Sequence, residues 1–249
     1  MKPKKSLGQN FFVNKNLAEQ IANIVLSEHH DVLVEIGPGQ GYFTKIFVEK
    51  RENIIAVEKD NELSNDLSIR FPQITVVNED FLYWDFEQLK NLQDKKILFF
   101  GSLPYNTCKK IIKKVISSEY FNTASYFIIQ KEVSQKYTNL EPKNNLLAIQ
   151  TRLYADSKKL FDISGASFNP HPKVTSSLIK FLPSKKDITD TEEFSAFLTE
   201  CFKHPRKTLS SNLRQKYYVP PQYNELLTKR AQHLSLEQYL QMFSEVKRK

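Results

Sequence analysis

Cysteine is nearly missing from this chain of 249 residues: Cys108 and Cys201 stand far apart, with no partner cluster near either. No Cys/His group has zinc-site spacing, and the isolated pair Cys201 and His204 reads as structural, so a reducing compartment and no metal are expected. Long apolar runs are missing too. No stretch approaches the roughly 20 apolar residues of a membrane span, so none is expected. The basic start "MKPKKSLGQNF" lacks an apolar h-region and does not read as a secretory signal, which makes a cytoplasmic location the expectation. Internal repeats and low-complexity segments are absent. Acidic side chains are in deficit, 28 against 36 Lys and Arg, for a net charge of +8. That excess favours a polyanionic partner such as RNA, DNA or an anionic surface. What remains is a composition with 40% hydrophobic and 26% charged residues, the balance of a globular protein, with length for one large domain or one domain and a small appendage.

Strand-like and helix-like patterns alternate for about 180 residues. "NKNLAEQIANIVL" places Leu17, Ile21, Ile24 and Val25 at helical spacing, with Asn14 or Asn16 as N-cap. "VLVEIG" (32–37), "NIIAVEKD" (53–60), "ITVVNED" (74–80), "KILFFGSLP" (96–104) and "ASYFIIQKE" (124–132) read as strands. Helical patterns around Phe43, Ile46 and Phe47 and in "NELSNDLSIRF" lie between the first of them. "KLFDIS" and "SSLIKFLP" add two late strands. This is the pattern of an α/β fold with a doubly wound, mostly parallel sheet. The pattern changes at "PSKKDITD" (183–190), a linker. "TEEFSAFLTECFKH", "KTLSSNLRQKYY" and "LSLEQYLQMFSEV" then read as helices. The expected domains are 1–184, the sheet domain, and 185–249, a small helical domain.

The first chemical signal is "VEIGPGQGYFT". Gly37, Gly39 and Gly41 follow an apolar strand and precede a helix, where an open α/β sheet binds nucleotide cofactors. The spacing is G-x-G-x-G, whereas a dinucleotide fingerprint wants G-x-G-x-x-G and position 42 is Tyr. About twenty residues on, Glu58 ends the second strand, where an acid can accept both ribose hydroxyls. Asp80 ends the third, placed to reach an adenine amino group. Glycine loop and two acids describe a site for an adenosine-bearing cofactor, S-adenosylmethionine in preference to NAD.

The fourth strand ends in "GSLPY". Pro104 fixes its own φ and restricts Leu103 to an extended form, which aims carbonyls outward. The Ser102 side chain and the Leu103 carbonyl can both accept hydrogen bonds from an exocyclic amine, and Tyr105 offers a ring to stack on a base. An amine held by two acceptors points its lone pair at a methyl donor, so that positioning carries most of the catalysis.

In this setting the sequence resembles the rRNA adenine-N6,N6-dimethyltransferases, which carry N-[LI]-P-[YF] at this place. The family includes 16S rRNA dimethyltransferases, macrolide-resistance 23S rRNA methyltransferases and mitochondrial relatives. "KKSLGQNF" (4–11), "VEIGPGQG", "VEKD", "NEDFL", "GSLPYN", "QKEV" (130–133) and "FNPHPKVTSSLI" (168–179) match its motifs in order, over nearly the whole chain. "FKHPRKTLSSNL" (202–213) resembles the C-terminal motif of the 16S branch. The resemblance implies a Rossmann-like class I methyltransferase that takes S-adenosylmethionine. It implies that Asn10 and Phe12 contact the cofactor, and that Phe168 walls the target-base pocket opposite Tyr105; Ser102 is expected at the cofactor as well as at the target amine. It also implies a substrate, two adjacent adenosines near the 3′ end of 16S rRNA in the small subunit or its precursor. Two departures stand out. Ser102 replaces the usual Asn, as some DNA amino-methyltransferases also do, and Phe12 replaces the usual Leu.

A target base must leave its stack to enter such a pocket, with RNA held through phosphates and shape. Basic candidates for that contact are Lys4 and Lys5; Lys109, Lys110, Lys113 and Lys114; and Lys203, Arg206, Lys207 and Arg214. The 109–114 lysines alternate with Ile111, Ile112, Val115 and Ile116, which also fits a merely solvated helix face. His171 is assigned no role, because a methylated amine loses its proton readily. A monomer acting on 16S rRNA is expected. A 23S rRNA methyltransferase, a non-catalytic ribosome-assembly factor retaining the fold, and a nicotinamide-dependent oxidoreductase remain the alternatives.

Overall fold

The computed structural model describes residues 10–139, 142–184, 186 and 190–249. Lys4, Lys5, most of the "KKSLGQNF" segment and part of the expected linker lie outside the described residues. The chain forms two compact units, Met1–Ser134 with Ser157–Pro183, and Gln135–Asp156 with Ser184–Lys249.

The first unit is built on a seven-stranded sheet. Its strands are β1 (Val32–Ile36), β2 (Ile54–Glu58), β3 (Thr75–Asn78), β4 (Ile97–Ser102), β5 (Ser125–Gln130), β6 (Ala155–Ile163) and β7 (Ser176–Pro183), in the spatial order β3-β2-β1-β4-β5-β7-β6. The first five pair in parallel, with Val34 opposite Phe99 and Glu35 opposite Phe100, while β7 runs antiparallel to β5. This is the expected doubly wound, mostly parallel α/β sheet. Every residue of β1 is buried, because helices cover both faces of a parallel sheet and the strand must be apolar throughout. Glu35 is the exception in that run.

Helices α1 (Lys15–Leu26), α2 (Tyr42–Glu49), α3 (Asn61–Arg70) and α4 (Cys108–Ile116) belong to this unit. Asn14 caps α1, its side chain accepting from the Leu17 amide at 3.1 Å, and Asp60 caps α3. Ile21 and Val25 of α1 join Phe43 and Phe47 of α2 and Leu98 and Phe100 of β4 in one apolar cluster. β5 ends at Gln130 and helix α5 (Lys131–Thr138) begins at once, so "KE" belongs to a helix and not to the strand read from the sequence.

The second unit is helical: α6 (Leu146–Thr151), α7 (Thr191–Cys201), α8 (Leu209–Leu213), α9 (Asn224–Thr228) and α10 (Leu236–Phe243), with Tyr217–Tyr218 paired to Lys247–Arg248. α10 starts with a capping box, Ser235 and Gln238 each satisfying the other's backbone amide. The unit takes in 135–156, which a single break at 184/185 does not include. Ile149 and Leu153 from that insertion share a core with Phe194, Phe197, Leu213 and Tyr239. "KTLSSNLRQKYY" is helical only over α8, and its last two residues are extended.

Candidate functional site

In the first unit a cavity opens at the carboxyl ends of β1 to β4, where the strand order reverses between β1 and β4. Its glycine wall is held in an unusual backbone: Gly37, Gly39 and Gly41 have φ of 64°, 58° and 73°. A Cβ on Gly37 would enter open space in the cavity, while one on Gly39 would lie 3.1 Å from the Phe11 ring. Gly41 differs from both. It does not line the cavity, and a Cβ there would come within 2.6 Å of Leu67 and 3.0 Å of Phe71. Its missing side chain lets the start of α2 approach α3.

Glu58 stands at the end of β2 as expected. Its Oε2 accepts from the Gly39 amide and its Oε1 from the Asp60 amide, both at 2.9 Å. The carboxylate therefore ties the glycine loop to the β2 turn and keeps lone pairs free for further donors. Burial pushes its pKa up, against the Asp60 and Gly39 amides. Asp80 follows β3. It pairs with Lys59 at 2.8 Å and accepts from the Leu82 amide. Burial raises its pKa, but Lys59 and that amide outweigh burial and hold the carboxyl below its usual range.

On the opposite wall, Ser102 ends β4, and the Leu103 amide extends the ladder by donating to the Ile128 carbonyl at 3.0 Å. Pro104 then turns the chain away from the sheet. Among the described residues no protein donor takes up the Ser102 hydroxyl or the Leu103 carbonyl. Tyr105 is half-buried, its hydroxyl 3.0 Å from Ser176 Oγ on β7. Phe168 is buried edge-on against Phe12, with ring centroids 5.1 Å apart, in a two-strand pairing of Phe11–Phe12 with Phe168–Asn169. Both rings serve as core and as cavity lining. Asn10 also lines the cavity. Apart from Gly41, every residue expected at the site from the sequence is brought to this one cavity: Asn10, Phe12, Gly37, Gly39, Glu58, Asp80, Ser102, Leu103, Pro104, Tyr105 and Phe168.

Sequence reasoning missed other lining groups. Glu35 is buried in the middle of the β1–α2 junction and accepts from Thr44 Oγ1 at 2.7 Å. Burial pushes its pKa up to about 8, opposed by the Thr44 hydrogen bond and reinforced by Glu58. An acid inside an otherwise apolar strand was the available signal. Phe11, Lys59 and Phe81 flank recognised residues, and Ser176 lies in a matched motif. Lys114, placed among the basic surface candidates, is instead turned inward: its ammonium donates to the carbonyls of Phe81, Leu82 and Trp84. Lys109, Lys110 and Lys113 are exposed.

In the second unit Arg206, Lys207 and Arg214 are exposed, while Lys203 pairs with Glu200 at 3.0 Å. Asn212 donates to the Cys201 and His204 carbonyls and so shapes the loop that carries Arg206 and Lys207.

The donor set fits an adenosine-bearing cofactor. A glycine loop leaves room for its backbone-close part, a strand-end carboxylate suits a ribose, and a second carboxylate suits an adenine amine. The fold together with this cavity defines a class I methyltransferase. A dimethyladenosine transferase from Plasmodium falciparum has the same fold, with a TM-score of 0.78 at 20% identity over 94% of this chain and 96% of that one. So does the 23S rRNA methyltransferase ErmE, with a TM-score of 0.74 at 20% identity over 94% and 98%. The chain belongs to the family described as ribosomal RNA adenine dimethylase, which matches residues 1–248. Relatives include the ribosomal RNA small subunit methyltransferase A of Mycoplasma mobile, 37% identical over 86% of this chain and 84% of that protein. The protein of the same name from Malacoplasma penetrans is 33% identical over 96% and 90%.

Proposed function

We propose that this protein uses S-adenosylmethionine to dimethylate N6 of two adjacent adenosines in the 3′-terminal loop of 16S rRNA, in the small subunit or its precursor. The observation that carries this reading is the placement of the cofactor-type residues and the Ser102–Tyr105 lip on facing walls of one cavity. The small-subunit relatives favour 16S over 23S rRNA as the target.

S-adenosylmethionine, when bound, supplies a methyl group on a sulfonium sulfur. Glu58 holds the ribose through lone pairs not used by Gly39 and Asp60. Asp80 accepts from the adenine amine, exchanging part of its pairing with Lys59. Gly37 and Gly39 leave room for close approach, and Asn10 and Phe12 close the cavity from the N-terminal side. For the target adenine, Ser102 Oγ and the Leu103 carbonyl would accept the amine hydrogens, which would leave the nitrogen lone pair directed into the cofactor side of the cavity. With the amine held in this way, the chain's own part in the reaction would be to position the nitrogen, and the cavity mouth would leave a path for the surplus amine proton to reach water. Tyr105 and Phe168 sandwich the base. Positioning of this kind can supply several kcal/mol of the barrier reduction.

Mass spectrometry of rRNA after incubation with protein and cofactor tests the proposal. Dimethyladenosine in 16S rRNA of small subunits is the expected product, and methyl label confined to protein-free 23S rRNA would overturn it. A non-catalytic assembly factor is the second reading, favoured by Ser102 in place of the family asparagine. Tight cofactor binding with no transfer, restored by Ser102→Asn, would select that reading.

A further inference from the structure

Lys114 lies in the last turn of α4, a helix whose other lysines face solvent. Its Nζ is 2.9 Å from the Phe81 carbonyl, 3.1 Å from that of Leu82 and 2.5 Å from that of Trp84. An ammonium has three donors and no acceptor, so three carbonyls match it completely. The same Nζ lies over the Phe81 and Phe86 rings, 5.5 Å and 5.0 Å from their centroids. The caged segment starts one residue after Asp80, and both Asp80 and Phe81 line the cofactor cavity. α4 itself begins at Cys108, directly after the lip that holds Ser102 to Tyr105. A single side chain thus joins the helix behind one wall of the cavity to the loop that forms the other.

We propose that Lys114 is a positioning residue for the cofactor site: it fixes the loop after β3 so that Asp80 and Phe81 meet the adenine. The loop is also anchored by the buried rings of Phe81 and Trp84 and by Phe86 against Phe99 and Tyr120, but those contacts are apolar, and among the described residues the Lys114 ammonium is what takes up the carbonyls of Phe81, Leu82 and Trp84. Asp80 is held by exposed Lys59 and by its own turn, and Tyr83 at the tip is almost fully exposed. Burial lowers the Lys114 pKa, as expected for an ammonium taken out of water and compensated by carbonyls. Arginine replaces it only in part. The planar guanidinium directs its donors in a fork and does not converge on three carbonyls around one nitrogen.

The inference rests on the reading of this cavity as the S-adenosylmethionine site, and calorimetry of the full chain with S-adenosylhomocysteine separates the two. Lys114→Met is expected to weaken that binding about tenfold, and Lys114→Arg to give a smaller loss. Cofactor KM should rise in proportion, while kcat at saturating cofactor stays within about threefold, a split that general loss of stability does not produce. Hydrogen exchange at residues 80–86 should accelerate in both variants. A Lys114→Met protein that melts at lower temperature yet binds S-adenosylhomocysteine within about twofold of wild type overturns the inference alone. No S-adenosylhomocysteine binding by the wild-type chain overturns the cofactor assignment and this inference with it. Should Lys114→Met fail to fold, Lys114→Arg carries the same comparison.

Discussion

Glu35 is a carboxyl with almost no access to water, held by Thr44 and close to a second buried acid, Glu58. Its pKa of about 8 exceeds the ordinary 4.5, so the native chain keeps a proton there that the unfolded chain has released. Stability is then fully present below the ordinary value and is lost as pH rises through the folded value, at up to about 1.4 kcal/mol per pH unit for one such group. Glu35→Gln should flatten that slope and raise the urea midpoint at the alkaline end, which denaturation at a series of pH values will check. Ser102 sets a second expectation. Ser102→Ala should lower methyl transfer at least about tenfold, because one amine acceptor is lost, with a smaller loss of S-adenosylhomocysteine affinity. Ser102→Asn should preserve or raise the rate; mass spectrometry of the product reads both. At this scale the sequence was informative where a residue type matched its place, as with Glu58 and Asp80 at strand ends. It was silent on Lys114, since a lysine that alternates with isoleucines reads as solvated until the carbonyls of a distant loop are brought to it.

The elements fix what single residues can do. α2 can begin only where Gly41 lets it pass α3, and alanine there meets both a left-handed backbone and the Leu67 side chain at 2.6 Å. Gly41→Ala is expected to cost about 1–3 kcal/mol, seen as a lower urea midpoint, and to weaken cofactor binding only indirectly. α4 has two faces with separate duties. Cys108, Ile111, Ile112 and Val115 are buried, while Lys109, Lys110 and Lys113 are exposed. Replacing these three lysines by glutamine should weaken rRNA binding and make it less sensitive to salt, by about one charge for each phosphate no longer neutralised. S-adenosylhomocysteine affinity should not move. Strands were legible because burial on both faces forces apolar runs such as "VLVEI" and "ILFF". The junction at Gln130 was not, since "FIIQKE" carries no breaker and the turn into α5 depends on neighbouring strand β7.

For the whole molecule, the division into two units does not follow the chain. Ile149 and Leu153 belong to the core of the helical unit although they precede β6 and β7. A truncation after Pro183 would leave these apolar residues without partners and should yield a poorly soluble protein, whereas replacing 139–154 by a short polar linker as well would remove those residues while keeping α5 and β6, and should restore solubility. Gel filtration of the two forms distinguishes them. This arrangement could not be read from the sequence: "NNLLAIQTRL" is a short amphipathic segment, and its partners lie some forty residues further on, beyond two strands.

The scarcity of thiols has a practical consequence. Each unit holds one cysteine, Cys108 in the first and Cys201 in the second, and both are wholly buried with pKa raised by that burial. Neither should react with an alkylating reagent until its surroundings open, so the chain carries two independent clocks for local unfolding. Cys108 begins the helix behind the Ser102–Tyr105 lip. Occupying the cavity should therefore slow labelling at 108 and leave the rate at 201 unchanged, a ligand footprint readable from two peptides without any added probe.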